Sequence, residues 1–426
     1  MGSRSLPDAD GSGISCRSIH HRELRCAEMT TDQLLFAAAV MMAVTAAAIG
    51  LARRLNLGSI AALLAVGMIL GPHSPMPVLA GHEGDLQSLG EIGVMLLLFL
   101  VGLDTQPRRL WSMRDLVLGF GSMEYLAASA AMAAFLLGVS RINWHSAVVV
   151  GLGLAMSSSA VPLPILEARH ESASQHGLAT IAAEVFQSLM IIPVLAVIPL
   201  LSSEPQTGDG ATDAVRAWQL LAALACVMLL GRVLLPYALR LAARGAGSGS
   251  FTLVVLAAVF AAAWIMERVG ISMALGAFLM GVMLSTSAYS MQVKAAVTPA
   301  RHVLLGVFFV AVGMAINLKE AAAFRGELLL YVTAALMIKF GVVYWIARWF
   351  RIGRRSALLT GLLLMPLDEI AYVIFASAHR HALLTEQAYA LALLSVSASF
   401  LVCPVLINLA FRWTPRAQPT TSTNIR

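Results

Sequence analysis

The chain reads as long apolar runs parted by short polar connectors. The runs lie at approximately 33–52, 57–70, 87–102, 115–139, 145–167, 177–202, 214–241, 250–266, 271–287, 302–318, 327–349, 356–378 and 385–411. A helix that crosses a bilayer needs ~20 predominantly apolar residues, so the pattern predicts thirteen membrane helices. The second run is short and stops at Gly71-Pro72, which implies a tilt or a start nearer Arg54. The first is too long for a cleaved signal sequence and leads into many further spans, so it is read as retained.

Two runs are interrupted at matching places. The fifth contains Ser157, Ser158 and Ser159, then Pro162 and Pro164; the twelfth contains Pro366, Asp368 and Glu369. With spans one to six and eight to thirteen as two halves, each interrupted run is the fifth of its half. Proline removes a backbone donor and clashes one turn back, and in hydrocarbon the freed carbonyls need a new partner. Broken helices at equivalent places in two repeats are where transporters bind substrate. The plainer alternative is a pair of proline-kinked helices packed around serines.

Composition narrows the class. Of 426 residues, 59% are hydrophobic and 12% charged, about half the charge of a soluble domain. A soluble multidomain enzyme and a disordered chain are both excluded. Lys and Arg number 29 against 23 Asp and Glu. They sit mostly in short loops, so they read as orientation signals facing the bilayer, with no nucleic acid as partner. Their concentration after odd-numbered spans and in the C-terminal tail puts the C-terminus in the cytoplasm and the N-terminus outside a cell (inner) membrane. Arg4, Arg17, Arg22 and Arg25 oppose this; translation starting at Met29 would remove them. Cys16, Cys26, Cys226 and Cys403 form no CxxC or Cys/His cluster, so no disulfide framework, metal site or cofactor is expected. No GxGxxG occurs and few residues follow Phe411, so no nucleotide-binding regulatory domain is expected to be attached.

Charges inside the spans are few and costly. Glu184 lies on the sixth span, one turn before Ser188, with Gln187 on the same side. Lys339 lies in the middle of the eleventh span and Glu124 in the middle of the fourth. A lone buried lysine calls for an acidic partner, and Glu184 is a candidate for it. Glu124 reads first as a structural hydrogen-bonding group.

Several stretches together resemble the Kef-type monovalent cation:proton antiporters of the sodium/proton exchanger superfamily. They are Leu51-Ala-Arg-Arg-Leu, Gly67 to Gly71-Pro72, Glu91-Ile-Gly-Val-Met-Leu-Leu-Leu-Phe-Leu-Val-Gly-Leu-Asp104, Gly151-Leu-Gly-Leu-Ala-Met-Ser-Ser-Ser159, Ala274-Leu-Gly-Ala-Phe-Leu-Met-Gly281 and Gly306-Val-Phe-Phe-Val-Ala-Val-Gly-Met314. The resemblance covers about Leu51 to Ala410. It implies an all-α polytopic membrane protein of about thirteen helices in two inverted repeats, with crossed broken helices and usually a homodimer. It also implies a scaffold against which a core domain moves as a body. One departure stands out: the family's Phe-Gln-Asp on the sixth span is here Phe186-Gln187-Ser188. Asp368 stands where a small residue is usual, while Glu369 and Lys339 match the family.

These readings predict a secondary transporter, not an enzyme, exchanging K⁺ or Na⁺ for protons. Glu184 is expected to carry the proton, relocated one turn from the usual site. Ser157, Ser158, Gln187 and Ser188 are expected to offer neutral oxygens, and Asp368 and Glu369 negative potential beside Lys339. Ser159 and Pro366 complete the broken-helix path. The missing aspartate and the retained lysine keep open a transporter of another solute, anion or organic, on the same fold. The expected organisation is a polar tail (1–32), a membrane domain (33–411) and a short cytoplasmic tail (412–426). Within the domain are a first repeat (33–202), a linker helix (214–241) and a second repeat (250–411).

Overall fold

The computed structural model describes residues 39, 42–47, 50, 59–71, 83–105, 111, 113–140, 142–159, 161–201, 218, 222–244, 248–269, 272–315 and 325–413. The tail 1–32 and most of the first expected span lie outside the described residues, as does nearly all of 412–426. The fold below is that of the unit Val44–Arg426.

Among the described residues the fold is helical, with one isolated β-bridge and no strand. In chain order the helices are α1 (Ser59–Leu70), α2 (Glu83–Asp104), α3 (Arg114–Val139), α4 (Trp144–Ala155), α5 (Pro162–Arg169), α6 (Gln175–Leu201) and α7 (Ala222–Leu241). There follow α8 (Ser248–Arg268), α9 (Met273–Ser285), α10 (Ser290–Ala315), α11 (Arg325–Trp349), α12 (Arg354–Leu363), α13 (Ile370–Arg380) and α14 (Glu386–Trp413). Six of them, α3, α6, α7, α8, α11 and α14, are long and apolar enough to cross a bilayer. The expected fifth and twelfth spans are each divided, into α4 and α5 and into α12 and α13.

The helices gather into two bundles. In the first, α2 packs on α9 and α10, α1 on α10, and α8 on α9. Its buried core runs from Leu96 and Phe99 through Val255, Ala262 and Met280 to Val297. Facing glycines bring α2 and α9 to backbone contact: a Cβ on Gly281 would lie 2.0 Å from the Phe99 carbonyl oxygen, and one on Gly102 would lie 2.3 Å from that of Phe278. Without a hydrophobic drive between helices in lipid, such small-residue seams carry the association.

The second bundle holds both broken spans. Its core joins Phe120 of α3, Ala179 and Ala183 of α6, Val343 and Ala347 of α11, and Ala357 of α12. A neighbouring cluster joins Leu166 of α5, Leu336 of α11, Leu363 of α12 and Cys403 of α14. Helix α6 serves both bundles. Ala179 and Ala183 lie in the second core, while Ile192 and Ala196 pack against the first.

Candidate functional site

The chain leaves α4 at Met156 and re-enters helix at Pro162; it leaves α12 at Leu364 and re-enters at Ile370. The two unwound stretches cross antiparallel and hydrogen-bond to each other. Ser157 pairs with Leu367, Ser158 N donates to the Pro366 carbonyl at 3.2 Å, and Asp368 N donates to the Met156 carbonyl at 3.2 Å. Backbone donors freed by the breaks are thereby satisfied inside the protein, as the membrane interior demands.

Lys339 of α11 is fully buried under this crossing. Its Nζ donates to the Met156 carbonyl oxygen, and it reaches the Pro366 carbonyl at 3.4 Å. One ammonium therefore spans both breaks. Each of those carbonyls follows the C-terminal end of a half-helix, α4 or α12, where the helix dipole favours a cation. Glu124 and Asp368 are the carboxylates whose charge Lys339 feels. At the opposite pole, Asp368 and Glu369 precede α13, and Asp368 Oδ1 accepts from Ile370 N at 3.3 Å, with negative charge at a helix N-terminus.

Gln187 ties α6 to the first break. Its Oε1 accepts from Ser157 N at 2.7 Å, while its Nε2 donates to Ser157 Oγ at 3.2 Å and to Glu124 Oε2 at 2.9 Å. Ser157 Oγ in turn donates to the Leu364 carbonyl at 2.9 Å. Ser158 Oγ donates to Glu369 Oε2 at 3.1 Å, which links the first break to the acidic pair beyond the second. Leu367 N is held by Ser399 Oγ of α14 at 3.2 Å.

The expected site residues thus fall into three groups. Ser157, Ser158, Gln187, Lys339, Pro366, Asp368 and Glu369 come together at the crossing. Ser159 lies at its exposed edge, where its carbonyl accepts from Leu163 N at 3.3 Å. Glu184 is buried on α6, and Ser188 turns back on its own helix, its Oγ donating to the Glu184 carbonyl at 2.8 Å. Glu124, read from the sequence as structural, is fully buried and joins the network through Gln187. Hydropathy does not single out Ser399; the alternating Ser395, Ser397 and Ser399 in an apolar run is its one signal in the sequence.

A local irregularity precedes Glu124 on α3. Residues Val117–Gly121 of α3 form a π-helical turn, a feature found often at functional sites. Gly121 ends it against α6: a Cβ there would lie 2.8 Å from Phe186 Cβ and 2.9 Å from the Ala182 carbonyl oxygen. Beyond the crossing, a cavity of about 880 Å³ lined by Ser140, Asn143, Tyr331 and His379 extends as far as Leu154, two residues before the first break. Among the described residues no cluster of His, Cys, Asp and Glu could hold a metal ion.

Comparison with known proteins agrees with this architecture. The family model for the transmembrane region of sodium/hydrogen exchangers matches residues 40–413. The glutathione-regulated potassium-efflux system protein KefC of Enterobacter sp. (strain 638) is 34% identical over 380 residues, which are 89% of this chain; the chain spans 60% of that relative's length. The sodium proton antiporter MjNhaP1 of Methanocaldococcus jannaschii, solved at pH 8, superposes with a TM-score of 0.67 at 14% identity, covering 89% of this chain and 97% of that one. An electron-microscopy structure of MjNhaP1 gives a TM-score of 0.62 at 14% identity, over 92% of this chain and 100% of that one. The likeness to the solved structures is one of fold.

Proposed function

Because the chain belongs to the sodium/hydrogen exchanger family, we propose that it is a secondary transporter exchanging a monovalent cation, K⁺ or Na⁺, for protons. The observation that carries the reading is the ammonium of Lys339 spanning the Met156 and Pro366 carbonyls of both breaks. Oxygens converge there in a buried, carboxylate-flanked place suited to positive charge.

In this proposal Gln187, Ser157 and Ser158 fix the geometry of the crossing, and Asp368 and Glu369 supply negative potential at its edge. A carboxylate at the site alternates between a proton and the cation, so that one displaces the other. The further parts of the reading are thirteen spans in two inverted repeats, a homodimer, and an inner-membrane orientation with a cytoplasmic C-terminus.

The test is dissipation of a preset ΔpH by the full chain in proteoliposomes, screened with Na⁺, K⁺ and Li⁺ at fixed chloride. Dissipation that saturates with one of these cations is the expected result. Proton movement that follows an anion or an organic solute, and ignores all three cations, overturns it.

A further inference from the structure

The exchange reading, on which this inference rests, leaves open which carboxylate trades a proton for the cation. We propose that it is Glu124, in the middle of α3. The side chain is fully buried. Its Oε2 accepts from Gln187 Nε2 at 2.9 Å, while its Oε1 is buried with no hydrogen-bond partner among the described residues. A carboxyl oxygen taken wholly out of water without a donor is costly unless it carries a proton or meets a cation. Those are the two species an exchanger must alternate.

Its surroundings suit the task. Gln187 is held by Ser157 at both ends of its amide, so Glu124 is wired to the first break through one rigid side chain. Lys339 on α11 and Glu124 feel each other's charge. The other ionisable groups nearby are Tyr125 beside it on α3, Glu184 on α6, Asp368 and Glu369 beyond the second break, Tyr372 on α13 and Cys403 on α14. Glu184 belongs to the α6 stripe of Ser188, Ile192 and Ala196, one turn apart, whose last two members pack against the first bundle.

The exchange balances at this one group. With Glu124 ionised, its carboxylate, through the Oε1 that no donor occupies among the described residues, holds the cation. A proton arriving from the facing compartment forms an O–H bond on Glu124, and the cation leaves to that compartment. After reorientation the O–H bond breaks, the proton departs to the other side, and a cation replaces it. One positive charge substitutes for another.

Glu124→Gln tests this, since glutamine keeps the volume and an oxygen for Gln187 but cannot titrate. In proteoliposomes of the full chain, with the cation that drives the wild type, ΔpH dissipation should fall by about a hundredfold or more. Glu124→Asp should keep exchange but shift its pH profile, which a merely structural contact would leave in place. Glu124→Gln exchanging at the wild-type rate with an unchanged pH profile overturns the assignment. So does a shifted profile in Glu184→Gln with Glu124→Gln unaffected. Where gel filtration finds Glu124→Gln misfolded, the pH profile of Glu124→Asp decides: a shift supports the assignment and an unchanged profile overturns it. A wild type that moves no cation instead defeats the exchange reading, and this assignment with it.

Discussion

Lys339 is the only buried lysine or arginine among the described residues, and its two carbonyl acceptors do not depend on it alone. Met156 also accepts from Asp368 N, and Pro366 from Ser158 N. Removing the ammonium therefore spares the backbone of the crossing and strands the carboxylates instead. A buried carboxylate left without a compensating positive charge nearby is destabilised. A carboxylate tolerates that loss only with a proton on it, and protons grow scarce as pH rises. Lys339→Met should accordingly melt below the wild type in detergent at pH 8, with the deficit shrinking at pH 5. Thermal unfolding at the two pH values checks this; an equal deficit at both would place the lysine's contribution in packing. The sequence exposed Lys339 as a lone base in an apolar run, since composition alone makes such a residue conspicuous. Glu124 was equally visible but its role was not. Hydropathy shows that a carboxylate is buried and is silent on which neighbour meets it.

At the scale of elements, the breaks were the legible part. Serines followed by prolines, and a proline followed by acids, cannot continue a helix quietly, and both spans divide there. The rotation of α3 was not legible. The π-turn at Val117–Gly121 inserts a residue into the helical count, so 3.6-residue periodicity carried across it assigns faces wrongly. Gly121 is the device that seats the turn on α6. A valine there would meet Phe186 and the Ala182 carbonyl at distances real side chains do not adopt, pushing α3 away. Gly121→Val should lengthen the reach from Glu124 to Gln187 and lower exchange by about tenfold, the factor given by a 1.4 kcal/mol penalty, with expression retained. Gly121→Ala should show a smaller loss. Equal activity in all three proteins, compared by initial rates in proteoliposomes, would mean that the π-turn plays no part in seating Glu124.

At the scale of the whole molecule, the division into two bundles was implied only by the family resemblance. It arises from seams of small residues, such as Gly102 with Gly281, that a count of apolar runs does not distinguish from lipid-facing surface. Orientation rests on the positive residues of short loops, among them Arg351, Arg354 and Arg355. A reporter fused after Arg416 should be active only in its cytoplasmic form, and activity outside would overturn the count of thirteen spans. Helix α6 gives the two-bundle arrangement a further meaning. Gln187 is hydrogen-bonded to the break, while its neighbour Ser188 lies on the stripe of Glu184, Ile192 and Ala196, whose last two members pack on the other bundle. The frontier between the parts accordingly runs between two consecutive residues. On its outer side the one hydroxyl, that of Ser188, spends its hydrogen on its own helix. Past Ser188, where Ile192 and Ala196 meet the other bundle, the frontier is held by apolar contact, which fixes no single register as a directional bond would.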